Sequence, residues 1–220
     1  MNNFKVAVLI SGNGSNLQAM IDSFKNQEQI QICSVISNVE DAYGITRASG
    51  AGIETHVINH RDYPSRETFE KKLIDKLNDT CPDLIILAGF MRILSEVFIA
   101  EYYGKIINIH PSLLPEYKGL HTHGRALADK QKFHGVSVHL VTPILDDGAV
   151  IAQMRILVKN SDTSESLSAR VLVLEHILYP LVIGALASGA VTLDTGQVHW
   201  QDTSIANTLS LPEGATLIFG

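Results

Sequence analysis

The sequence predicts an α/β fold: a doubly wound, mostly parallel sheet with an antiparallel extension in its C-terminal third. Three observations lead there. Through the first half, short continuous aliphatic runs alternate with helical patterns, as expected of parallel strands covered on both faces. In the second half the style changes, and Val136–Val141 alternates (Val, Ser, Val, His, Leu, Val), with Val150–Val158 as its apparent antiparallel partner. The 220 residues are 45% hydrophobic and 18% charged, enough for a full core and against disorder.

Taken in order, Phe4–Ile10 reads as a buried strand, followed by the turn Ser11-Gly-Asn-Gly-Ser-Asn16 and a helix to about Phe24. Ile32–Ile36 is the next strand and Tyr43–Ala51 the next helix. Thr55–Ile58 precedes a longer helix over Arg66–Leu77, with Ser65 at its cap. Leu84–Leu87 and Ile106–Ile109 complete the parallel set. Val136–Val141 and Val150–Val158 then pair around the turn-like Leu145-Asp-Asp-Gly148. Asp162-Thr-Ser-Glu165 opens a long helix over Ser164–Leu186, and a small hairpin follows around Asp194-Thr-Gly196. With no repeat, low-complexity tract or clear linker, residues 1–220 read as one domain.

A net charge of −6 speaks against a nucleic-acid partner held through backbone phosphates. Small anions remain candidates, because helix termini bind them whatever the net charge. Cys33, in an apolar run, reads as a core residue, and Cys81 precedes Pro82. Two such thiols fit a reducing cytoplasm better than a disulfide framework. The apolar run Val6–Ile10 is too short for a signal peptide, and no run approaches the length of a membrane span.

The most informative stretch is Ile106-Ile-Asn-Ile-His-Pro-Ser-Leu-Leu-Pro115. On an extended backbone Asn108 and His110 point the same way. An amide donor beside a titratable ring can hold an oxyanion and move a proton. The plainer reading is a strand-end histidine satisfied by backbone, and Pro111 and Pro115 tilt the balance towards the catalytic one, because a rigid turn fixes the strand end. Leu114–Pro115 is a candidate cis bond. Asp146 is the carboxylate that could keep His110 charged; Asp146-Asp-Gly148 is equally good turn chemistry. Ser11–Asn16 lacks the Gly-Lys-Ser/Thr of a triphosphate loop, and Leu17 stands where a dinucleotide fingerprint needs its third glycine. It is either an anion site, with Gly14, Ser15 and Asn16 as donors, or a capped turn. Gly89-Phe-Met-Arg-Ile-Leu94 follows a strand end, where ligands sit in such sheets. It either lines the slot of a flat ligand or is a buried loop in which Arg92 is paired. Arg66 alone is uninformative. His121-x-His123 lacks a third metal ligand at a supporting spacing; no metal is expected, and His121 fits better as a polar pocket member. His139 faces either inward or to solvent.

Together, Ile10-Ser-Gly-Asn-Gly-Ser-Asn-Leu17, Leu87-Ala-Gly-Phe-Met-Arg-Ile-Leu94, Asn108-Ile-His-Pro-Ser-Leu-Leu-Pro115, Gly119-Leu-His-Thr-His123, Val138-His-Leu-Val141, Leu145-Asp-Asp-Gly148 and Glu175-His-x-x-Tyr-Pro180 stand in this order. In this the chain closely resembles the phosphoribosylglycinamide formyltransferase family, folate-dependent enzymes of purine synthesis, to about residue 200. The resemblance implies formyl transfer from 10-formyltetrahydrofolate to the amine of glycinamide ribonucleotide, with Asn108, His110 and Asp146 as catalytic trio. It implies Gly14, Ser15, Asn16 and Glu175 for the ribonucleotide. For folate it implies Arg66, Met91, Arg92, Ile93, Leu94 and Asn108, together with Thr142, Pro143, Ile144, Leu145 and Asp146. His121 and His139 become secondary members of the pocket.

The single formyltransferase-like domain would comprise a phosphate-binding, Rossmann-like half (1–105), a catalytic and folate-binding half (106–200) and a tail (201–220). Implied partners are small molecules, not nucleic acid or membrane, in a cytoplasmic monomer or homodimer. Pro143, Asp147-Gly148-Ala149 and Gly124 depart from the commoner family pattern and bear on loop shape. Methionyl-tRNA formyltransferase and formyltetrahydrofolate hydrolase share the trio. The first is expected to need a basic C-terminal RNA-binding domain and the second an extra N-terminal domain. A nucleotide-binding module without catalysis is the third alternative.

Overall fold

A computed structural model describes residues 3–205 and 209–220; residues 206–208 of the tail lie outside the described residues. The fold is α/β, with a mostly parallel central sheet and a separate antiparallel pair, as predicted. Two compact units divide the chain, Met1–Asn108 and Ile109–Gly220.

In the first unit β1 (Phe4–Ile10), β2 (Ile30–Ser37), β3 (Thr55–Val57), β4 (Leu84–Leu87) and the start of β5 (Ile106–His110) run parallel in the order β3-β2-β1-β4-β5. Val6–Ile10 are wholly buried, which explains why β1 reads as a continuous aliphatic run. The helices are α1 (Ser15–Phe24), α2 (Tyr43–Gly50), α3 (Arg66–Thr80) and α4 (Glu96–Glu101). Ser65 caps α3 as expected, in a capping box with Thr68. The chain winds outward from β1 to β3, then returns to β4 on β1's other side. Between the carboxyl ends of β1 and β4 lies the switch point where such sheets bind ligands.

In the second unit β6 (Phe133–Leu140), β7 (Val150–Leu157) and β10 (Thr216–Phe219) are antiparallel neighbours. The pair β8 (Val191–Asp194) and β9 (Gln197–Trp200) stands apart. α5 (Thr122–Ala128) follows the turn after β5, and α6 (Ser164–Ser188) packs on β6 and β7. Thr163 caps α6 in a second capping box, and Leu114–Pro115 is cis.

Four expectations need correction or completion. The short helices α4 and α5 give too few turns for a periodic signal. β10 forms where the tail offered no usable pattern, because its pairing depends on β7 and on Trp200, whose ring meets Phe219 at 4.5 Å. Cys33 is half-buried rather than core, its thiol donating to the Val6 carbonyl. A stretch of membrane length does exist: by length and composition α6 would qualify. Half of that stretch is buried inside the protein, however, with Leu167, Val171, Leu174 and Leu178 recurring on one face as in a core helix.

Candidate active site

In the first unit the switch point is built by two loops. Gly14 takes a left-handed conformation (φ 72°) directly before α1, and no side chain caps that helix. Its first turn therefore offers backbone amides rather than a closed cap. Glycine is required at position 14, since a Cβ would lie 2.7 Å from the Gly44 Cα. Asn16 is buried and Ser15 half-buried. Segment 88–94 lies beside this turn: the Ser11 amide donates to the Gly89 carbonyl (3.1 Å), and the Ser11 hydroxyl accepts from the Met91 amide (2.8 Å). The same hydroxyl donates to Asn38 Oδ1 at 2.5 Å, and His60 Nδ1 sits 3.1 Å from the Asn38 carbonyl. Leu94 is buried, whereas Met91 and Ile93 are 71% and 59% exposed. Large apolar side chains held out by a hydrogen-bonded loop are what a ligand surface needs. Arg92 is half-buried with its guanidinium 5.9 Å from the Phe69 ring centre, and Arg66 is exposed at the start of α3.

Asn108 and His110 lie on β5, with the asparagine half-buried and the histidine buried. Within the second unit, His110 meets Asp146, the carboxylate that the sequence offered as its partner. Nδ1 is 3.4 Å from Asp146 Oδ2, and both side chains are only 7% exposed. Nε2 lies 2.9 Å from the Tyr117 carbonyl, which can only accept, so that nitrogen carries a hydrogen. Asp146 is fixed in turn by the Gly119 amide donating to Oδ2 at 2.9 Å. Its own φ of 50° is left-handed, a conformation aspartate tolerates better than most residues. Gly148, two residues on, is packed so closely that a Cβ would meet the Leu140 carbonyl oxygen at 1.8 Å.

His139 faces inward. Its Nδ1 lies 2.7 Å from the Leu140 carbonyl and its Nε2 3.7 Å from Asp146 Oδ1. Burial pushes its pKa down, more than the Leu140 bond and the Asp146 charge raise it. A neutral His139 leaves Asp146 to pair with His110. His121 is exposed, in a left-handed conformation at the start of α5. His123 Nδ1 lies 3.0 Å from His134 Nε2. Burial pushes the His134 imidazole down to about 4, with the charges of His123 and His110 adding to it. Among the described residues no group of His, Cys, Asp or Glu is placed to hold a metal. Thr142, Pro143, Ile144 and Leu145 form the approach to Asp146, and Ile144 and Leu145 are 65% and 51% exposed. Glu175 is half-buried, midway along α6.

Sequence reasoning missed Ser11, Asn38 and His60 as the tie between the two loops, and Tyr117 and Gly119 as the backbone partners of the His–Asp pair. Left-handed Tyr117, Gly119 and His121 follow Pro115 closely, and that cluster of turn formers was the available signal.

A buried histidine paired with a carboxylate at a strand end is an arrangement suited to group-transfer chemistry. The chain belongs to the formyl transferase family, whose pattern its residues 4–183 match. It is 49% identical to the phosphoribosylglycinamide formyltransferase of Escherichia coli over 185 residues, which cover 84% of this chain and 87% of that protein. It is 44% identical to the bovine trifunctional purine biosynthetic protein adenosine-3, covering 89% of this chain and 20% of that longer protein. Among solved structures, the phosphoribosylglycinamide formyltransferase of Coxiella burnetii superposes with a TM-score of 0.87 at 49% identity, covering 90% of this chain and 94% of that one. Glycinamide ribonucleotide transformylase 1 of Symbiobacterium toebii also reaches 0.87, at 37% identity over 91% of this chain and 95% of that one.

Proposed function

We propose that this protein transfers the formyl group of 10-formyltetrahydrofolate to the amine of glycinamide ribonucleotide, yielding formylglycinamide ribonucleotide and tetrahydrofolate in purine biosynthesis. The formyl transferase family implies a folate co-substrate, and the relatives named above support the ribonucleotide as acceptor. The observation that carries the chemistry is His110 held between the Asp146 carboxylate and the Tyr117 carbonyl.

The amine lone pair attacks the formyl carbon, and the carbonyl electrons move onto its oxygen. Asn108 donates to that oxyanion through its amide, and His110, with both ring nitrogens already engaged, stabilises it through its positive charge. Acceptors at both ring nitrogens accommodate an imidazolium, which carries a hydrogen on each. Asp146 orients the ring and balances its charge. As the intermediate collapses, the attacking nitrogen loses a proton and the departing folate nitrogen gains one. No covalent enzyme intermediate is required. Gly14, Ser15 and Asn16 would hold the phosphate, with Glu175 on the same substrate. Arg66, Met91, Arg92, Ile93, Leu94 and residues 142–146 would serve the folate. The exposed apolar side chains of each of these two loops support that role.

The test is formyl transfer measured with and without the ribonucleotide. Ribonucleotide-dependent product supports the reading. Formyl loss to water at the same rate in both would mark a hydrolase, and no turnover would leave a binding module.

A further inference from the structure

The anion turn Ser11–Asn16 contains no lysine or arginine. The fold brings a cation to it from α2. Arg47 Nε donates to the Asn13 carbonyl at 2.9 Å, Nη2 to Asn13 Oδ1 at 3.1 Å, and Nη1 to Gln18 Oε1 on α1 at 3.2 Å. Its guanidinium also lies 4.8 Å from the Tyr43 ring centre, which fixes the plane of the fork. The same helix seats the turn a second time, with the Gly44 amide donating to the Gly12 carbonyl at 3.1 Å.

We propose that Arg47 is a positioning residue for phosphate binding. A peptide carbonyl pointing at an anion repels it, whereas the amides that follow attract it. With the Asn13 carbonyl and amide oxygen both engaged by one rigid guanidinium, the turn is held with its acceptors occupied before the ligand arrives. The positive charge adds to the field of the α1 terminus. A lysine in its place would keep the charge and lose the fork, since an ammonium cannot hold two oxygens of one residue and a third on the next helix in one plane. This inference rests on the reading that residues 14–16 take the ribonucleotide phosphate.

Steady-state transfer by the full-length Arg47→Ala variant tests it. The KM for glycinamide ribonucleotide should rise about tenfold, the equivalent of one lost charged hydrogen bond. The KM for 10-formyltetrahydrofolate and kcat at saturation should stay within about twofold, because preorganisation of one binding loop is uniform binding. A ribonucleotide KM unchanged from wild type overturns the proposal, as does an equal rise in both KM values. Should the alanine variant fail to fold, Arg47→Lys carries the test: its ribonucleotide KM should still rise about threefold, and a wild-type value overturns the proposal. A wild-type protein that transfers nothing to the ribonucleotide would instead remove the phosphate reading beneath it, a result separable from any Arg47 effect.

Discussion

Replacing Asp146 by asparagine removes a charge and almost nothing else. Asparagine keeps the shape, tolerates the left-handed φ of 50°, and retains an oxygen to accept the Gly119 amide at 2.9 Å. What disappears is the carboxylate 3.4 Å from His110 Nδ1. At that distance opposite unit charges attract by about 5 kcal/mol at an effective dielectric of about 20. Only the part gained between ground and transition state speeds the reaction. If about 3–4 kcal/mol of it is so gained, turnover falls by roughly two to three orders of magnitude. The assay is kcat for formyl transfer under saturation with both substrates, alongside the thermal midpoint. A fall in kcat at constant midpoint is expected. Near-normal turnover in a stably folded Asp146→Asn protein would refute the pairing as a catalytic device.

Three further outcomes are expected. Gly148→Ala should cost about 3 kcal/mol, because the added carbon meets backbone rather than a flexible side chain; calorimetry should then show the midpoint lowered by roughly 6–12 °C, and an unchanged midpoint would contradict the packing described. Arg92→Ala should raise the folate KM more than the ribonucleotide KM, and the reverse order would reassign Arg92 to the other substrate. His134 titrates at about 4 when folded and near 6.5 when unfolded, so between these values the unfolded chain holds more protons and stability falls as pH drops. That loss is about 3 kcal/mol, so denaturant unfolding of His134→Gln should show a flatter dependence between about pH 6.5 and 4, and an equally steep one would deny His134 this role.

The elements that sequence rules describe were legible because their causes are local. β1 and β4 are apolar runs bounded by turns, the caps at Ser65 and Thr163 are short-range hydrogen bonds, and Asn108 and His110 share a face by the two-residue repeat of a strand. The candidate trio was readable as residue types; Asp146 was open to a turn reading as well, and the family pattern favoured the catalytic one. What tertiary structure alone decided lies across long sequence gaps: Asp146 against His110, Arg47 on Asn13, Ser11 joined to both Asn38 and Met91, and β10 laid along β7. The physical reason is that periodicity reports which way a side chain points, while its partner is chosen by packing. A polar group left alone in a buried place costs more than the contact gains, so these partners emerge only when the chain has closed around them.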